Sequence, residues 1–201
     1  YEFLPLSDYL NGDDECVFLK DVTVNIVYVL IISTNAGLWR YMIGDTIRFT
    51  SITPFRIKIV GRTKSYLNLV GEELMEENAE TAIQIASEKY NCTITNFIVR
   101  SEFRGKGIAV HRWLVEFNVP PKSLKEFSIF LDGTIQELNS DYKSKRTDSL
   151  VLLNLEIEIA DIGLFHTWFA NNGKLGGQSK VPRLDSSSKI FDQITKLNTT
   201  Y

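Results

Sequence analysis

The feature that most constrains this chain is a single change in its hydrophobic period, close to residue 64. Up to that point the apolar positions alternate or form short β-branched runs, which is the pattern of strands. Beyond it, apolar residues recur every three or four positions, which is the pattern of an amphipathic helix. The sequence therefore predicts a β-rich part over residues 1–63 and a mixed part over residues 64–201.

The first part is predicted to be almost wholly β, a small β-meander or partial barrel. The runs rich in β-branched and aromatic residues are 22–34, 46–52 and 55–61. Turn signals separate the strands, at Asn11-Gly12-Asp13, Asn35-Ala36-Gly37, Gly44-Asp45 and Thr53-Pro54. The chain opens at Tyr1 with neither an initiator Met nor a signal-peptide pattern. We therefore interpret this part as the end of a larger domain that is incomplete here.

The second part is predicted to follow a ferredoxin-like β-α-β-β-α-β order, which makes the fold class α+β. Each element has its own signal in the sequence, either a period, a run of β-formers or a cap. The expected elements are, in order, a short strand over 66–70, a helix with an apolar face from Met75 to Tyr90, strands near 93–99 and 110–117, a helix capped by Ser123 and Glu126 with a stripe to Tyr142, a strand over 152–160, and a short helix over 164–170.

Composition and charge exclude several function classes. A net charge of −3 gives no global attraction to nucleic acid. The RNA recognition motif has the same element order, but Lys106 and Ile108 stand where that motif stacks bases on aromatic rings. The longest apolar run, residues 26–32, is too short to span a bilayer. Cys16 and Cys92 have no disulfide or metal-ligand spacing, so we expect no metal ligands and a cytoplasmic setting. From the charge and the short apolar runs we expect neither nucleic acid nor a membrane as a partner.

The stretch GLWRYMIGD, residues 37–45, carries more chemistry than a turn requires. Gly44-Asp45 is an ordinary turn pair, because glycine accepts positive φ and the aspartate carboxylate bonds nearby N–H groups. That explanation leaves out Trp39-Arg40-Tyr41, directly before it. A carboxylate fixed at a strand end can also accept the two vicinal hydroxyls of a ribose, while an adjacent aromatic ring lines the sugar or base. Both interpretations stay open at this point.

Two basic segments are further candidates. In GRTK, Arg62 is either a solvated strand end or a contact to a phosphate or sugar, and Lys64 falls where a hinge between the two parts would lie. The glycine-rich stretch GKLGGQSKVPR is by default a solvent loop. Its cations could instead bring positive charge to a polyphosphate. These cations are Lys174, Lys180 and Arg183.

The other titratable residues are interpreted without a functional role. His111 falls in a predicted strand and His166 on the short helix, and neither has a cysteine or carboxylate at ligand spacing. Both are interpreted as packing or surface residues. The acidic pairs Glu72-Glu73 and Glu76-Glu77 are interpreted as complementing the dipole at the start of the first helix.

Taken together, these segments resemble the auxin-responsive acyl-acid amido synthetases, in their bacterial branch, which belong to the adenylate-forming superfamily. The matching stretches are YEFLPL, ISTNAGLWRYMIGDTIRFT, IKIVGRTKSYLNLVGEEL, LNSDYKSKR and GKLGGQSKVPRL. The resemblance implies that the chain is the C-terminal portion of a ligase that uses ATP and Mg²⁺. Such a ligase adenylates a carboxylic acid and then transfers the acyl group to an amine, typically an amino acid.

The resemblance also implies roles for individual residues. Asp45 would hold the ribose hydroxyls with Tyr41 nearby, and Arg62 would support the ribose or phosphate. Lys180 would reach the reacting carboxylate and phosphate during adenylation, where its ammonium offsets growing negative charge. Rotation of the mobile C-terminal part about a hinge near Lys64 would then withdraw Lys180 and open the site to the amine.

The chain departs from the family pattern in two ways. The phosphate loop and the motif whose glutamate helps to hold magnesium are absent and would precede Tyr1, so the resemblance implies that this chain alone is inactive. Met42-Ile43 stands where plant members carry Arg-Val, a change that a strand end tolerates. Thr63-Lys64 stands where they carry Lys-Asn, so the hinge residue is defined only to within one position. The alternative function is a non-catalytic ferredoxin-like module that binds a small ligand or a protein.

Overall fold

The computed structural model describes residues 1–63, 66–105, 107–147, 151–173 and 180–199. The chain divides into two compact units, residues 1–64 and 65–201. Its mixture of helices and sheets confirms the predicted α+β class. The elements are, in chain order, β1 (Glu2–Pro5), α1 (Leu6–Asn11), a 3-10 turn (Leu19–Asp21), β2 (Val27–Ile32), β3 (Tyr41–Ile52), β4 (Phe55–Arg62), β5 (Tyr66–Leu67), β6 (Leu74–Met75), α2 (Glu76–Lys89), β7 (Thr93–Phe103), β8 (Ala109–Val119), α3 (Leu124–Leu138), α4 (Ser140–Thr147), β9 (Glu156–Ala160), α5 (Leu164–Asn171) and α6 (Lys189–Thr195).

The first unit is an antiparallel meander of four strands in the order β1-β2-β3-β4. Its core is aromatic: the rings of Phe3, Tyr28 and Phe49 meet edge to face, with Ile47 beside them. The unit is less purely β than predicted, because the helix α1 occupies the segment before Gly12. Gly12 caps that helix with a φ of 85°, since a glycine turn signal serves a helix end as well as a hairpin.

The second unit is built on a three-stranded sheet in the order β7-β8-β9, with β9 parallel to β8. Successive side chains of a strand point to opposite faces, so the two faces have different partners. Val99 and Trp113 pack with α2 and α3 on one face. Ile98 and Leu114 pack with α5 and α6 on the other. The sheet is therefore buried on both faces at its centre, which explains why three apolar residues follow one another in β7, at 97–99, and in β8, at 113–115.

The structure differs from the predicted ferredoxin-like order in several details. The first predicted strand is shorter, and as β5 it pairs with β6 in a separate two-stranded sheet. The second helix ends at Leu138, because Asn139 Oδ1 accepts a hydrogen bond from the N–H of Tyr142 at 2.8 Å and starts the separate helix α4. The last strand begins at Glu156, and the helix α6 after it was not predicted.

The predicted apolar face of α2 and the predicted cap of α3 are confirmed. Helix α2 buries its predicted apolar face, and Ser123 Oγ accepts a hydrogen bond from the N–H of Glu126 at 3.3 Å at the start of α3. Cys16 lies partly exposed in the first unit and Cys92 is buried in the second, neither of them in a disulfide. Burial raises the pKa of the Cys92 thiol. None of the described helices is both long and apolar enough to cross a membrane.

Candidate nucleotide site and a buried acid pair

Gly44 and Asp45 lie inside β3, and the prediction that they form a turn between two strands is wrong. Strand β3 pairs with β2 on one side and with β4 on the other, so it continues through the dipeptide. Opposite residues 29–31 the register with β2 shifts, and residues 43–45 form a β-bulge. Gly44 fits this bulge because it adopts a φ of 85°, which a residue with a side chain rarely does.

The bulge places a carboxylate beside a guanidinium. Asp45 and Arg62 are direct cross-strand partners, and Arg62 Nε lies 3.2 Å from Asp45 Oδ1. Their side chains are 29% and 74% exposed, respectively. Thr63 fixes the end of β4 against the bulge, because its N–H donates to the Gly44 carbonyl at 2.8 Å. The backbone that carries the partly exposed Asp45 carboxylate is therefore fixed by hydrogen bonds on both sides. Such a carboxylate can accept hydrogen bonds from hydroxyl groups of a ligand while it stays next to the Arg62 cation.

The aromatic–Arg–aromatic cluster before the bulge has two kinds of member. Arg40 has a φ of 45°, and its N–H donates to Ser33 Oγ at 3.0 Å while its Nε donates to Glu2 at 3.0 Å. Hydrogen bonding to Cys16 and the charge of Glu2 raise the pKa of Arg40. The side chain of Arg40 is thus engaged with neighbouring residues. The side chains of Trp39 and Tyr41 are 80% and 51% exposed, so both rings are available to a ligand.

The basic residues predicted in the stretch GKLGGQSKVPR differ in their surroundings. Lys180 is exposed in the second unit, just before the segment in which Leu184 pairs with β7. Arg183 is engaged in the fold, since it contacts Glu80 at 3.3 Å and lies 4.6 Å from the Phe97 ring centroid. Two of the predicted residues, Lys64 and Lys174, lie outside the described residues. The structure thus brings Asp45 and Arg62 together, with Tyr41 on the same strand.

The sequence analysis did not predict a buried pair of a glutamate and a histidine in the second unit. Glu72 Oε1 lies 2.9 Å from His111 Nε2, and both side chains have no exposed surface. Burial by itself raises the pKa of the Glu72 carboxyl. The hydrogen bond and charge of His111, with the N–H groups of Val70 and Leu69, outweigh burial and lower that pKa to about 2. Glu72 lies before α2 and turns inward, so its interpretation as a helix-dipole residue is wrong.

A second buried carboxylate joins two helices of the same unit. Asp132 on α3 accepts a hydrogen bond from Tyr142 Oη at 2.8 Å and one from Arg146 Nη2 at 2.8 Å. Arg146 also donates to the Leu152 carbonyl at 2.9 Å. Complete burial raises the pKa of Tyr142, and Asp132 adds to that effect. The only sequence signal for this cluster was the i, i+4 spacing of Tyr142 and Arg146 on α4.

Metal-ligand chemistry has no clear place in the described part of the chain. No group of three or more histidine, cysteine, aspartate or glutamate side chains among the described residues could hold a metal ion. The Asp45–Arg62 pair offers a single carboxylate, and the adjacent guanidinium would repel a magnesium ion.

Comparison with protein-family models decides the family. Residues 1–62 match the GH3 family central domain, and residues 77–189 match the GH3 family C-terminal domain. The chain belongs to the GH3 family. The central-domain match falls within the first compact unit, and the C-terminal-domain match falls within the second.

Named GH3 relatives extend over nearly the whole chain. It is 27% identical to indole-3-acetic acid-amido synthetase GH3.3 of Arabidopsis thaliana, covering 96% of this chain and 34% of that protein. It is 26% identical to the jasmonoyl–L-amino acid synthetase JAR6 of Nicotiana attenuata, covering 91% of this chain and 33% of that protein. The chain thus spans about a third of the length of the curated GH3 relatives that it matches.

Solved GH3 structures share the fold. The structure of a GH3.15 acyl acid amido synthetase superposes with a TM-score of 0.73 at 21% sequence identity, covering 97% of this chain and 36% of that one. A complex of the Arabidopsis GH3.15 synthetase with 2,4-DB superposes with a TM-score of 0.71 at 20% identity. The arrangement of strands and helices is therefore that of GH3 proteins.

Proposed function

We propose that this chain is the C-terminal part of an ATP-dependent ligase that adenylates a carboxylic acid and transfers the acyl group to an amine, namely an amino acid. Membership of the GH3 family supports this proposal, as do relatives named for joining indole-3-acetic acid or jasmonate to amino acids. The observation that carries it is the Asp45–Arg62 pair, held at 3.2 Å across β3 and β4, on the strand that begins with the exposed Tyr41.

The proposed nucleotide contacts use residues of the first unit. The Asp45 carboxylate accepts the two vicinal hydroxyls of the ribose, and Arg62 balances its charge and contacts the ribose or a phosphate. Tyr41 lines the sugar or base from the start of β3. The magnesium ion that accompanies ATP would be held outside the described residues, which offer no cluster of ligands for it. This chain therefore contributes the nucleoside side of the site.

The proposed catalytic lysine is Lys180. It is exposed, as a residue that must reach a substrate has to be. Its ammonium would offset the negative charge that develops as the carboxylate attacks the α-phosphate of ATP. We place the hinge near Lys64, so that the domains are residues 1–63, the end of an adenylation domain, and residues 64–201, a mobile domain. Rotation about this hinge would withdraw Lys180 before the amine attacks.

The isolated chain is proposed to be inactive, because it spans about a third of its relatives and lacks the phosphate loop of the superfamily. The test is carboxylate-dependent ATP–pyrophosphate exchange by the longer parent protein over a panel of acids. We expect Asp45→Ala and Lys180→Ala to reduce exchange by about 100-fold or more, the size of effect typical for a group that stabilises developing charge. Lys189→Ala, an exposed lysine elsewhere on the second unit, is the matched control. Exchange that survives both test substitutions would overturn the site assignment.

One observation favours the alternative of a non-catalytic binding module. A shallow groove of about 330 Å³ lies along α3 beside Tyr90, the residue that follows α2, and Ile129 and Phe130 line it. Glu126 and Glu137 also line this groove. A groove of this size can hold a small apolar ligand. Absence of exchange with every acid, together with saturable ligand binding that Ile129→Lys abolishes, would favour this second function.

A further inference from the structure

The loop over residues 68–73 joins β5 to β6 just after the division between the two units. One carboxylate holds it. Glu72 accepts hydrogen bonds from the N–H of Leu69 at 3.1 Å and of Val70 at 2.8 Å, and it lies 2.9 Å from His111 Nε2. Three hydrogen bonds therefore converge on a side chain with no exposed surface. Such a carboxylate fixes the path of the loop around it.

His111 comes from the middle of the second unit. It lies on β8, directly opposite Ser101 of β7, and it is completely buried. Its Nδ1 has no hydrogen-bond partner among the described residues, so the bond to Glu72 is the one polar contact of this imidazole that the structure describes. A buried polar nitrogen without a partner is costly, and a hydrocarbon or phenyl side chain would fill the space at lower cost. Packing alone thus does not account for a histidine here.

The loop is also strained in a way that needs support. Glu73 adopts a φ of 43°, and Gly71 adopts a φ of 90°. Positive φ at a residue with a side chain costs free energy and persists only where the surroundings enforce it. Asn139 Nδ2 donates to the Glu73 carbonyl at 3.0 Å. The loop is therefore held by β8, through His111, and by Asn139, directly before α4.

The strands on either side of the loop are anchored too. Leu67 of β5 and Leu74 of β6 are 1% and 0% exposed, and both belong to the main core of the second unit. The short hairpin is thus fixed at its strands by apolar burial and at its loop by the Glu72–His111 pair. Residues 66–75 form part of the second unit from their first residue onwards.

We infer that Glu72 and His111 are a positioning pair, which locks the β5–β6 hairpin to the body of the second unit so that the two move as one piece. This inference rests on the proposed function for its meaning, since a domain that rotates between two half-reactions needs a rigid connection to its pivot. Without the pair, the 68–73 loop would absorb part of the change in dihedral angles. The rotation would then be spread over many residues and the second half-reaction would lose its defined geometry.

Hydrogen exchange of this chain tests the positioning role directly. In the double variant Glu72→Leu with His111→Phe, the core is refilled with apolar groups, which conserves stability. The loop loses its acceptor, so we expect the amides of Leu69 and Val70 to exchange about 100-fold faster, by local opening. The amides of Trp113 and Leu114 on β8 should change by less than about threefold.

Glu80→Gln is the matched control for the removal of a carboxylate, because Glu80 is an exposed acid of the same unit that pairs with Arg183. It should leave the Leu69 and Val70 amides protected. Protection of these two amides in the double variant would overturn the inference. So would an equal acceleration of all amides, because the pair would then be a general stabiliser of the core.

The longer parent protein separates this inference from the proposed function. In the double variant we expect acyl transfer to the amine to fall about tenfold relative to ATP–pyrophosphate exchange, since a small misplacement of reacting groups lowers the rate of the step that depends on their alignment. An equal loss in both half-reactions, or in neither, would contradict the positioning role. A wild-type parent that shows no exchange with any acid would refute the proposed function, while the hydrogen-exchange result on the chain itself would still stand.

Discussion

Two acid–base pairs of this chain use the same chemistry in opposite surroundings. Asp45 and Arg62 stand on the first unit with side chains 29% and 74% exposed. Glu72 and His111 lie inside the second unit with no exposed surface. The Asp45 carboxylate of the exposed pair can still accept hydrogen bonds from a ligand. The Glu72 carboxylate of the buried pair accepts its hydrogen bonds from residues of its own unit. Exposure, and not the identity of the charged groups, separates a candidate binding pair from a structural one.

The largest expected effect tests this contrast through stability. His111→Leu leaves the Glu72 carboxylate buried without its hydrogen-bonding imidazole partner, so the free energy of unfolding should fall by about 3–5 kcal/mol. Arg62→Leu breaks a solvent-exposed ion pair, for which the expected loss is below about 1 kcal/mol. Urea unfolding of both variants beside the wild type measures the difference. Similar losses in the two variants would show that the pairs are not energetically distinct.

Acid should destabilise the second unit through the same pair. The pKa of Glu72 is lowered from 4.5 to about 2, so its contribution is complete above pH 4.5 and is lost as the pH falls toward 2. A shift of this size corresponds to about 3 kcal/mol. Urea unfolding between pH 5 and pH 2 should therefore show a loss of stability that is much smaller in the Glu72→Leu, His111→Phe double variant. An equally steep pH dependence in that variant would assign the acid sensitivity to other carboxyl groups.

The smallest expected effect concerns the bulge in the first unit. Gly44 and Gly12 both have a φ of 85°, and an added Cβ meets only Thr63 Oγ1 at 3.7 Å at Gly44 and nothing within 4 Å at Gly12. Alanine at either position should thus cost only backbone strain, about 1–2 kcal/mol, in the unfolding of the chain. In the parent, only Gly44→Ala should raise the KM for ATP, because it alone moves the proposed ribose-binding carboxylate. Equal KM values for ATP in the two variants would show that the bulge at Gly44 does not contribute to ATP binding.

The parts that the sequence predicted well are those with local signals. The inner face of α2 follows from its 3.6-residue period, and the cap of α3 follows from Ser123 and Glu126 three positions apart. Asp45 and Arg62 each stood out in a motif of its own, but their pairing comes from the structure, and their role at a nucleotide stays a prediction. Short-range patterns of this kind need no knowledge of the tertiary fold.

The parts that the sequence did not predict depend on distant partners. Glu72 and His111 are 39 positions apart and meet only because β8 lies in the centre of the second unit. Gly44 was read as a turn because a bulge and a turn require the same positive φ, and only pairing on both sides of β3 distinguishes them. The break between α3 and α4 had no distinct period, since Tyr142 continues the apolar stripe across Asn139.

The distribution of the two cysteines gives each unit its own built-in chemical reporter. Cys16 is partly exposed in the first unit, whereas Cys92 is buried in the second and its thiol has a raised pKa. A thiol reagent therefore modifies Cys16 in the native chain but reaches Cys92 only when the second unit opens. The rate of Cys92 labelling consequently follows the opening of that unit alone. No foreign label is needed to determine which half of the chain a substitution has loosened.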